Sequence, residues 1–456
     1  MIGSSQTLQQ TLRIGLLSLL LMWPTIAQPA ERLDNGELRL EIDTATGLVL
    51  DWKACRPSCA ASLGQMRFSG PADPPPLLPV ATVGANPDLA LAAMSGARYS
   101  LRPGGYRLEI ALPGITPEDY VGVRLSTGDS FAKTGSEGFT GWSQTVNTFV
   151  LTEDGSPRLV PGREIVVPLT EARWQGLRNR FWVFACSALH GRGEPASLIC
   201  YSGPIEHDAL ERDAPELKSL LFPDLWSWMR LLTLGLMYLF EALRAFVGSP
   251  ALAIMGLAVA VKILMAPLTW LAGRWQREVN VTQTRLQPEL DGIRRTYRGE
   301  EQVERVMALY RRHNVHPFYA IKSLFGVMIQ IPVFIAAYHL LGQHIALDSA
   351  SFLWCGNLAE PDHFWQLPFR MPFFGDHVNL LPLLMTAISL LAARAHAPAS
   401  LSPQLRARSR AQLYLLATAF LVLFYTFPAG MVLYWTCNNL IELVRSMLSA
   451  AFSSAQ

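Results

Sequence analysis

Hydrophobic and polar positions follow two different periods along this chain. Between residues 31 and 220 apolar residues recur at alternate positions, as in Leu38, Leu40 and Ile42, in Tyr106, Leu108 and Ile110, and in Phe181, Val183 and Ala185. Gly, Asp and Pro interrupt these runs, and Pro71 to Pro79 reads as a Pro-rich loop. A period of two buries one face of each strand, so the pattern predicts an antiparallel β-sandwich forming one domain over residues 31–220.

Past residue 220 the alternation gives way to long apolar runs. Five of them are read as membrane spans: Ser249–Leu271, Phe318–Leu341, Leu380–Ala393, Leu413–Phe427 and Met431–Met447. The third and fourth are shorter than the ~20 residues that cross a hydrocarbon core, which predicts a locally thinned bilayer. Ahead of the first span, Arg230, Glu241 and Arg244 of segment 223–248 fall within about 60° of one another on a helical wheel at ~100° per residue. One charged stripe opposite Leu, Met, Phe and Trp predicts an amphipathic helix lying in the interface. Between the first two spans, Leu286, Leu290, Ile293 and Tyr297, then Val303, Val306, Met307 and Tyr310, follow helical spacing on either side of Arg298-Gly299-Glu300. They predict a helical hairpin over residues 273–316, and its apolar stripes have no obvious partner within the chain. That marks it as a landing surface for a partner or an incoming chain.

At the start of the sequence, Arg13, the apolar run Ile14 to Trp23 and the small residues before Ala30 have the order of a secretory signal. Residues 1–30 are therefore expected to act as a signal peptide or an uncleaved N-terminal anchor, and either outcome carries the β-domain out of the cytoplasm.

Composition agrees with a membrane protein. Half of the 456 residues are hydrophobic and only 16% are charged. The net charge of +2 says little by itself, because orientation depends on where the cations lie. Nine Arg and six acidic residues fall between Arg274 and Arg312, and four Arg with no acid between Arg394 and Arg410. The segment from Gly342 to His377 instead holds Asp348, Glu360, Asp362 and Asp376 against Arg370. By the positive-inside rule the first two connections are cytoplasmic and the third is outside. The six cysteines show no paired-ligand spacing, so neither a zinc site nor any other metal site is expected. Cys55 with Cys59, and Cys186 with Cys200 across the break at Gly191 to Glu194, could form disulfides outside the cytoplasm; buried free thiols are the alternative.

Lys262 is the residue with the clearest chemistry. A cation at mid-span costs roughly 2.5–3.5 kcal/mol on insertion scales, so it is expected to face protein or a wet cavity. The chain has only five Lys against 33 Arg, which sets this one apart. The blocks Val261-Lys262-Ile263-Leu264-Met265-Ala266-Pro267-Leu268-Thr269, Leu286-Gln287-Pro288-Glu289, Met307-Ala308-Leu309-Tyr310, Gln330-Ile331-Pro332-Val333-Phe334 and Phe427-Pro428-Ala429-Gly430-Met431-Val432-Leu433-Tyr434-Trp435 closely resemble, in order, the YidC/Oxa-type membrane protein insertases. Leu33-Asp34-Asn35-Gly36 and Trp174 to Phe184 look like pieces of the periplasmic β-sandwich of Gram-negative members.

The resemblance implies an α-helical membrane protein with a five-helix insertase core over residues 249–450, a short tail at 451–456, and a hydrophilic groove open to the cytoplasm and to lipid but closed outside. Lys262 matches a groove cation that is commonly arginine. Gln330, Tyr434, Trp435, Thr436, Asn438 and Asn439 match or neighbour groove and client-binding positions. His316-Pro317 stands where the family often has Asn-Pro, and no basic run comes after Leu448, so the ribosome-binding tail of some relatives is expected to be absent. The implied function is insertion and chaperoning of membrane proteins, in a bacterial inner membrane, with the β-domain periplasmic and the C-terminus cytoplasmic. The implied partners are nascent membrane proteins and lipids, with the Sec translocon and the ribosome as further candidates and no specific nucleic acid. Clients with acidic segments are expected to gain most from Lys262. No enzyme activity, cofactor or nucleotide is expected, and the chain has no GxxxxGK[ST] loop. The competing reading is a solute transporter or channel using Lys262, Gln330, Glu442 and the asparagines; a membrane enzyme using His313, His316 or His339 with Glu442 is a third.

Overall fold

The computed structural model describes residues 30–43, 49–55, 61–69, 89–91, 98–112, 122–128, 131, 146–189, 196–316, 319–395 and 403–454. The signal-like segment up to Pro29, the Pro-rich loop and Cys59 lie outside the described residues. The chain divides into two units between Ser219 and Leu220.

The first unit is β-rich. Strands β1 (Ala30–Asp34), β2 (Leu38–Asp43), β3 (Val49–Ala54), β4 (Ala61–Ser69), β8 (Gly122–Ser126) and β11 (Glu164–Pro168) form a six-stranded antiparallel sheet in that spatial order. An eight-stranded sheet runs β10 (Pro157–Pro161), β9 (Asn147–Leu151), β12 (Gln175–Arg178), β13 (Trp182–Leu189), β14 (Ala196–Pro204), β7 (Arg107–Leu112), β6 (Arg98–Leu101) and β5 (Leu89–Leu91). Leu38, Leu40 and Ile42 are fully buried, as are Leu108, Ile110 and Leu112, so the period-two runs supply the inner faces. The sheets meet where Trp52 of one packs edge-on against Phe184 of the other, with ring centroids 4.6 Å apart. Gly176 of β12 is required by the close approach of its neighbour strand β13. A Cβ there would lie 2.3 Å from the Phe184 carbonyl oxygen and 2.4 Å from Ala185 Cα.

Cys186 of β13 lies directly opposite Cys200 of β14 in the strand register, and the two form a disulfide. Cys55 is also disulfide-bonded. A bridge closing a ~15-residue loop stabilises by roughly 3 kcal/mol, chiefly by constraining the unfolded chain. Cys186→Ser with Cys200→Ser is therefore expected to accelerate hydrogen exchange across β13 and β14 by about 100-fold. Unchanged protection would show that strand pairing alone holds this hairpin. A short helix, α1 (His207–Asp213), comes after β14.

The second unit is helical. α2 (Ser227–Val247) ends at Gly248, whose φ of 69° is the left-handed conformation that glycine adopts without strain and whose N–H donates to the Arg244 carbonyl. Ser249 and then Pro250, at the first turn of the next helix, turn the chain back. α3 (Pro250–Thr296) is continuous over 47 residues, α4 is Gly299–Arg312, α5 is Phe325–Gln343, α6 is Leu380–Ala395, α7 is Pro403–Phe424 and α8 is Ala429–Ser454. α2 packs on α3 and α5, α6 packs on α7, and α8 contacts α3, α5 and α6. Small residues Ala251, Ala253 and Ala258, with Ile254, Leu257 and Val261, form the buried face of α3, while Leu252, Val259, Ile263, Leu264, Leu268 and Trp270 are exposed. Apolar side chains on the outer face suit lipid as solvent, and small ones allow close helix contact. By length and composition α3 is long and apolar enough to cross a membrane; Met328–Gln343, Leu380–Ala392 and Ala411–Phe424 are shorter apolar helices.

Four expectations from sequence are corrected. The first span and the first arm of the hairpin are one helix, because backbone hydrogen bonding continues past Leu271 where only the side-chain polarity changes. Residues 319–324, including Lys322, form a 3-10 turn ahead of α5, and Lys322 pairs with Glu278 of α3 at 3.1 Å. α7 begins at Pro403, not Leu413, and α8 extends to Ser454, so residues 451–454 are helical. The stripes of the hairpin do have partners, each other: Leu286, Leu290 and Leu309 form a core with Ile293, Val306, Tyr310 and Val315 packed on it. Val303 and Met307 remain exposed.

α2 also differs in which way its charges face. Trp228, Leu231, Tyr238 and Phe246 are the exposed side chains, whereas Arg230, Glu241 and Arg244 are half-buried. Glu241 is held by Arg244 at 2.7 Å and by His344 Nε2 at 2.7 Å, and His344 Nδ1 accepts from the Ala346 N–H. That acceptor role assigns the ring proton to Nε2, where it points to the carboxylate. Burial opposes ionisation of Glu241, but His344 and Arg244 outweigh it, and the carboxyl titrates below its ordinary 4.5. A lowered folded pKa contributes stability above the unfolded value that is lost as pH falls through the folded one. Melting in detergent is expected to drop in a window below pH 4.5, and Glu241→Gln to flatten that acid limb; an unchanged limb would remove Glu241 as its source.

Candidate functional site

α8 is positioned by the connection over residues 344–379. The N–H groups of Ala429 and Gly430, with no partner inside the helix, donate to the carbonyls of Glu360 (2.7 Å) and Leu358 (2.8 Å). Gly430 permits that approach, since a Cβ would stand 3.1 Å from the Leu358 oxygen. Asp362 does the same for α6: its buried carboxylate accepts from the N–H groups of Leu380 (3.0 Å) and Leu381 (2.5 Å), and from Trp354 Nε1 (3.3 Å).

With its start anchored, α8 presents Trp435, Asn439 and Glu442, at helical spacing, along one face. They line a cavity of about 280 Å³ with Ser389 and Ala392 of α6 and Leu413, Leu416, Ala417 and Phe420 of α7. Along the helices the cavity runs from the level of Glu442, Ala392 and Leu413 to that of Trp435 and Phe420. Beyond lies an aromatic cluster. Trp435 stacks on Phe424 (5.6 Å between centroids) and meets Phe334 (4.9 Å) and Phe420 (5.8 Å) edge-on, and Phe424 continues to Phe427 (4.8 Å).

The polar groups are unevenly committed. Asn439 Nδ2 donates to Ser389 Oγ at 2.7 Å, and that hydroxyl donates to the Met385 carbonyl at 2.8 Å. Glu442 Oε1 accepts from Arg445 at 2.5 Å, and Oε2 lies 4.0 Å from Lys262 Nζ. The Lys262 side chain is 30% exposed and that of Glu442 37%. Lys262 thus neighbours Glu442 and is not among the described lining residues.

Of the residues singled out from sequence, Trp435 and Asn439 line the cavity and Lys262 touches it through Glu442. Thr436 donates to the Val432 carbonyl and Asn438 to the Tyr434 carbonyl, so both bond to their own helix. Tyr434 is buried beside a separate small cavity with Phe334, Tyr338 and Met431, and Gln330 is half-exposed on α5 and lines neither. The sequence does not single out Ser389 as a lining residue, and it offers Glu442 only for a solute path or an enzyme. The signal for Glu442 is nonetheless present: it lies three residues after Asn439 and seven after Trp435. His313 pairs with Glu289 at 3.2 Å, and no cluster that could hold a metal is found among the described residues.

Comparison with known proteins adds the family. The model of the 60Kd inner membrane protein family matches residues 242–454, a block that holds every quoted motif of the helical unit. A protein of Herminiimonas arsenicoxydans named membrane protein insertase YidC is 30% identical over 257 residues, 56% of this chain and 42% of that one. One of the same name from Cupriavidus taiwanensis is 31% identical over 248 residues, 54% and 39% of the two chains. The matches thus span less than half the length of these relatives. The crystal structure of active YidC insertase with its first transmembrane domain resolved aligns over 96% of this chain and 99% of that one, with 15% identity and a TM-score of 0.39. Through residues 242–454 the chain is thus similar to the 60Kd inner membrane protein family and to proteins named membrane protein insertase YidC.

Proposed function

We propose that this chain is a membrane protein insertase of a bacterial inner membrane, with its β-rich unit periplasmic and the α3–α4 hairpin and C-terminus cytoplasmic. A short polar segment of a nascent client enters the cavity between α6, α7 and α8 from the Glu442 end. Ser389, Asn439 and Glu442, with Lys262 beside Glu442, replace part of its water. Every polar group so satisfied lowers the barrier to taking that segment into the membrane. Partition of the client's apolar helix into lipid drives the step, so no nucleotide is required. Lipids and client chains are the partners, and the Sec translocon and the ribosome are candidates for delivery to the hairpin.

The observation that carries this reading is a partly polar cavity on a helical unit whose outer side chains are apolar, ending at the Trp435 aromatic cluster. That ending disfavours a solute path through both leaflets. Photocrosslinkers at Trp435 and Asn439, with Gln330 as the position outside the cavity, test it during translation in membranes. Adducts to nascent clients from the first two positions support insertion; adducts to lipid alone overturn it.

A further inference from the structure

The connection between α5 and α6 carries an antiparallel hairpin, β15 (Trp365–Met371) and β16 (Gly375–Val378), whose strands pair with no other strand among the described residues. A lone two-stranded hairpin is marginal in water unless one side of it is covered. Here the apolar side chains face outward: Trp365 is 66% exposed, Phe369 61% and Phe373 66%. Exposed Gln366 and Arg370 are interleaved with them.

The ends of two helices fix where this hairpin lies. β16 passes through Asn379 straight into α6, and Asn379 Nδ2 donates to the carbonyl of Tyr425, the residue after α7, at 2.7 Å. The Tyr425 hydroxyl donates to the His377 carbonyl at 3.2 Å, and its ring meets Phe374 edge-on at 4.9 Å. The exposed aromatic side chains therefore begin where exposed Leu383 and Leu384 of α6 and Val422 of α7 leave off, and the hairpin prolongs the lipid-facing surface of both helices. Its depth is limited by the backbone. Each strand has an outer edge of N–H and C=O groups that no strand satisfies, which excludes the hydrocarbon core and suits the hydrated headgroup layer, where Trp is enriched.

Resting on the membrane reading of the helical unit, we infer that the β15–β16 hairpin is an anchor in the outer leaflet of the lipid surface. Trp365, Phe369 and Phe373 enter between phospholipid headgroups, the strand edges stay hydrated, and Arg370 meets lipid phosphate. The outer ends of α6 and α7 are thereby held at that level.

The test uses the full chain in phosphatidylcholine liposomes, with a fluorescent maleimide at Phe369→Cys or, as the reference inside the bilayer, at Val259→Cys on the exposed face of α3. Cys355 and Cys437 are buried, and signal from the unsubstituted chain is subtracted. Quenching is compared for lipid nitroxides near the headgroup, lipid nitroxides at mid-chain, and iodide in the water. At Phe369→Cys the headgroup nitroxide should quench about twice as strongly as the mid-chain one, as for a side chain at the headgroup–acyl boundary, and iodide only weakly. At Val259→Cys the order of the two nitroxides should reverse. Strong iodide quenching at Phe369→Cys with none from lipid would leave the hairpin in water and overturn the anchor. Shielding from both would assign this surface to protein, the β-rich unit or a second copy included, and overturn it equally. In either case lipid quenching at Val259→Cys upholds the membrane reading, whereas its absence there too would overturn that reading itself.

Discussion

Lys262→Glu is expected to lower insertion of a single-span client into liposomes, read by protease protection, by about 30-fold. The substitution places a carboxylate where Nζ now lies 4.0 Å from Glu442 Oε2. Two like charges at that distance repel by roughly 4 kcal/mol at an effective dielectric of ~20, and partial exposure of both side chains reduces this to about 2 kcal/mol. Glu442 must then turn away, and the cavity loses its charged wall. Lys262→Arg keeps the charge and should retain most activity. The exchange Lys262→Glu with Glu442→Lys restores a pair of opposite charges, so it should recover insertion. Full activity of Lys262→Glu alone would remove this pair from the mechanism.

Asp362→Ala should destabilise the helical unit by about 4 kcal/mol, the sum of three lost hydrogen bonds to a charged acceptor and the N–H groups left behind. Asp362 is 4% exposed, and the N–H groups of Leu380 and Leu381 at the head of α6 have this carboxylate as acceptor. The helix dipole adds to the attraction. Because α6 supplies Ser389 and Ala392, its displacement should also open the cavity wall. The readouts are a lowered melting temperature in detergent and faster hydrogen exchange at the start of α6. Unchanged exchange there would show that the 344–379 connection holds α6 by other contacts.

Period-two runs such as Leu38, Leu40 and Ile42 are enough to place strands, because alternation and burial on one face of a sheet are the same fact. The break at Arg298-Gly299-Glu300 is legible for a similar reason, as Gly299 takes a φ of 62° that other residues adopt only with strain. The join at Leu271 is not legible, since hydropathy records the solvent around a helix and not the helix itself. Lys262 is conspicuous as a charge in an apolar run, but its partner cannot be deduced: Glu442 belongs to a different helix, brought alongside by the contact of α3 with α8. Thr436 and Asn438 mislead in the opposite direction. Their polarity suggests the cavity, whereas each satisfies itself on the carbonyl four residues earlier.

The unbroken run of α3 has a mechanical side. At ~1.5 Å per residue its 47 residues extend for about 70 Å, more than twice a hydrocarbon core of ~30 Å. Lys262 near one end and the tip beside α4 at the other ride on a single rod. A load on that tip would act with a long arm, and the motion would travel to the ammonium through helix alone, bending first at Pro288 and Pro267, which interrupt its backbone hydrogen bonds.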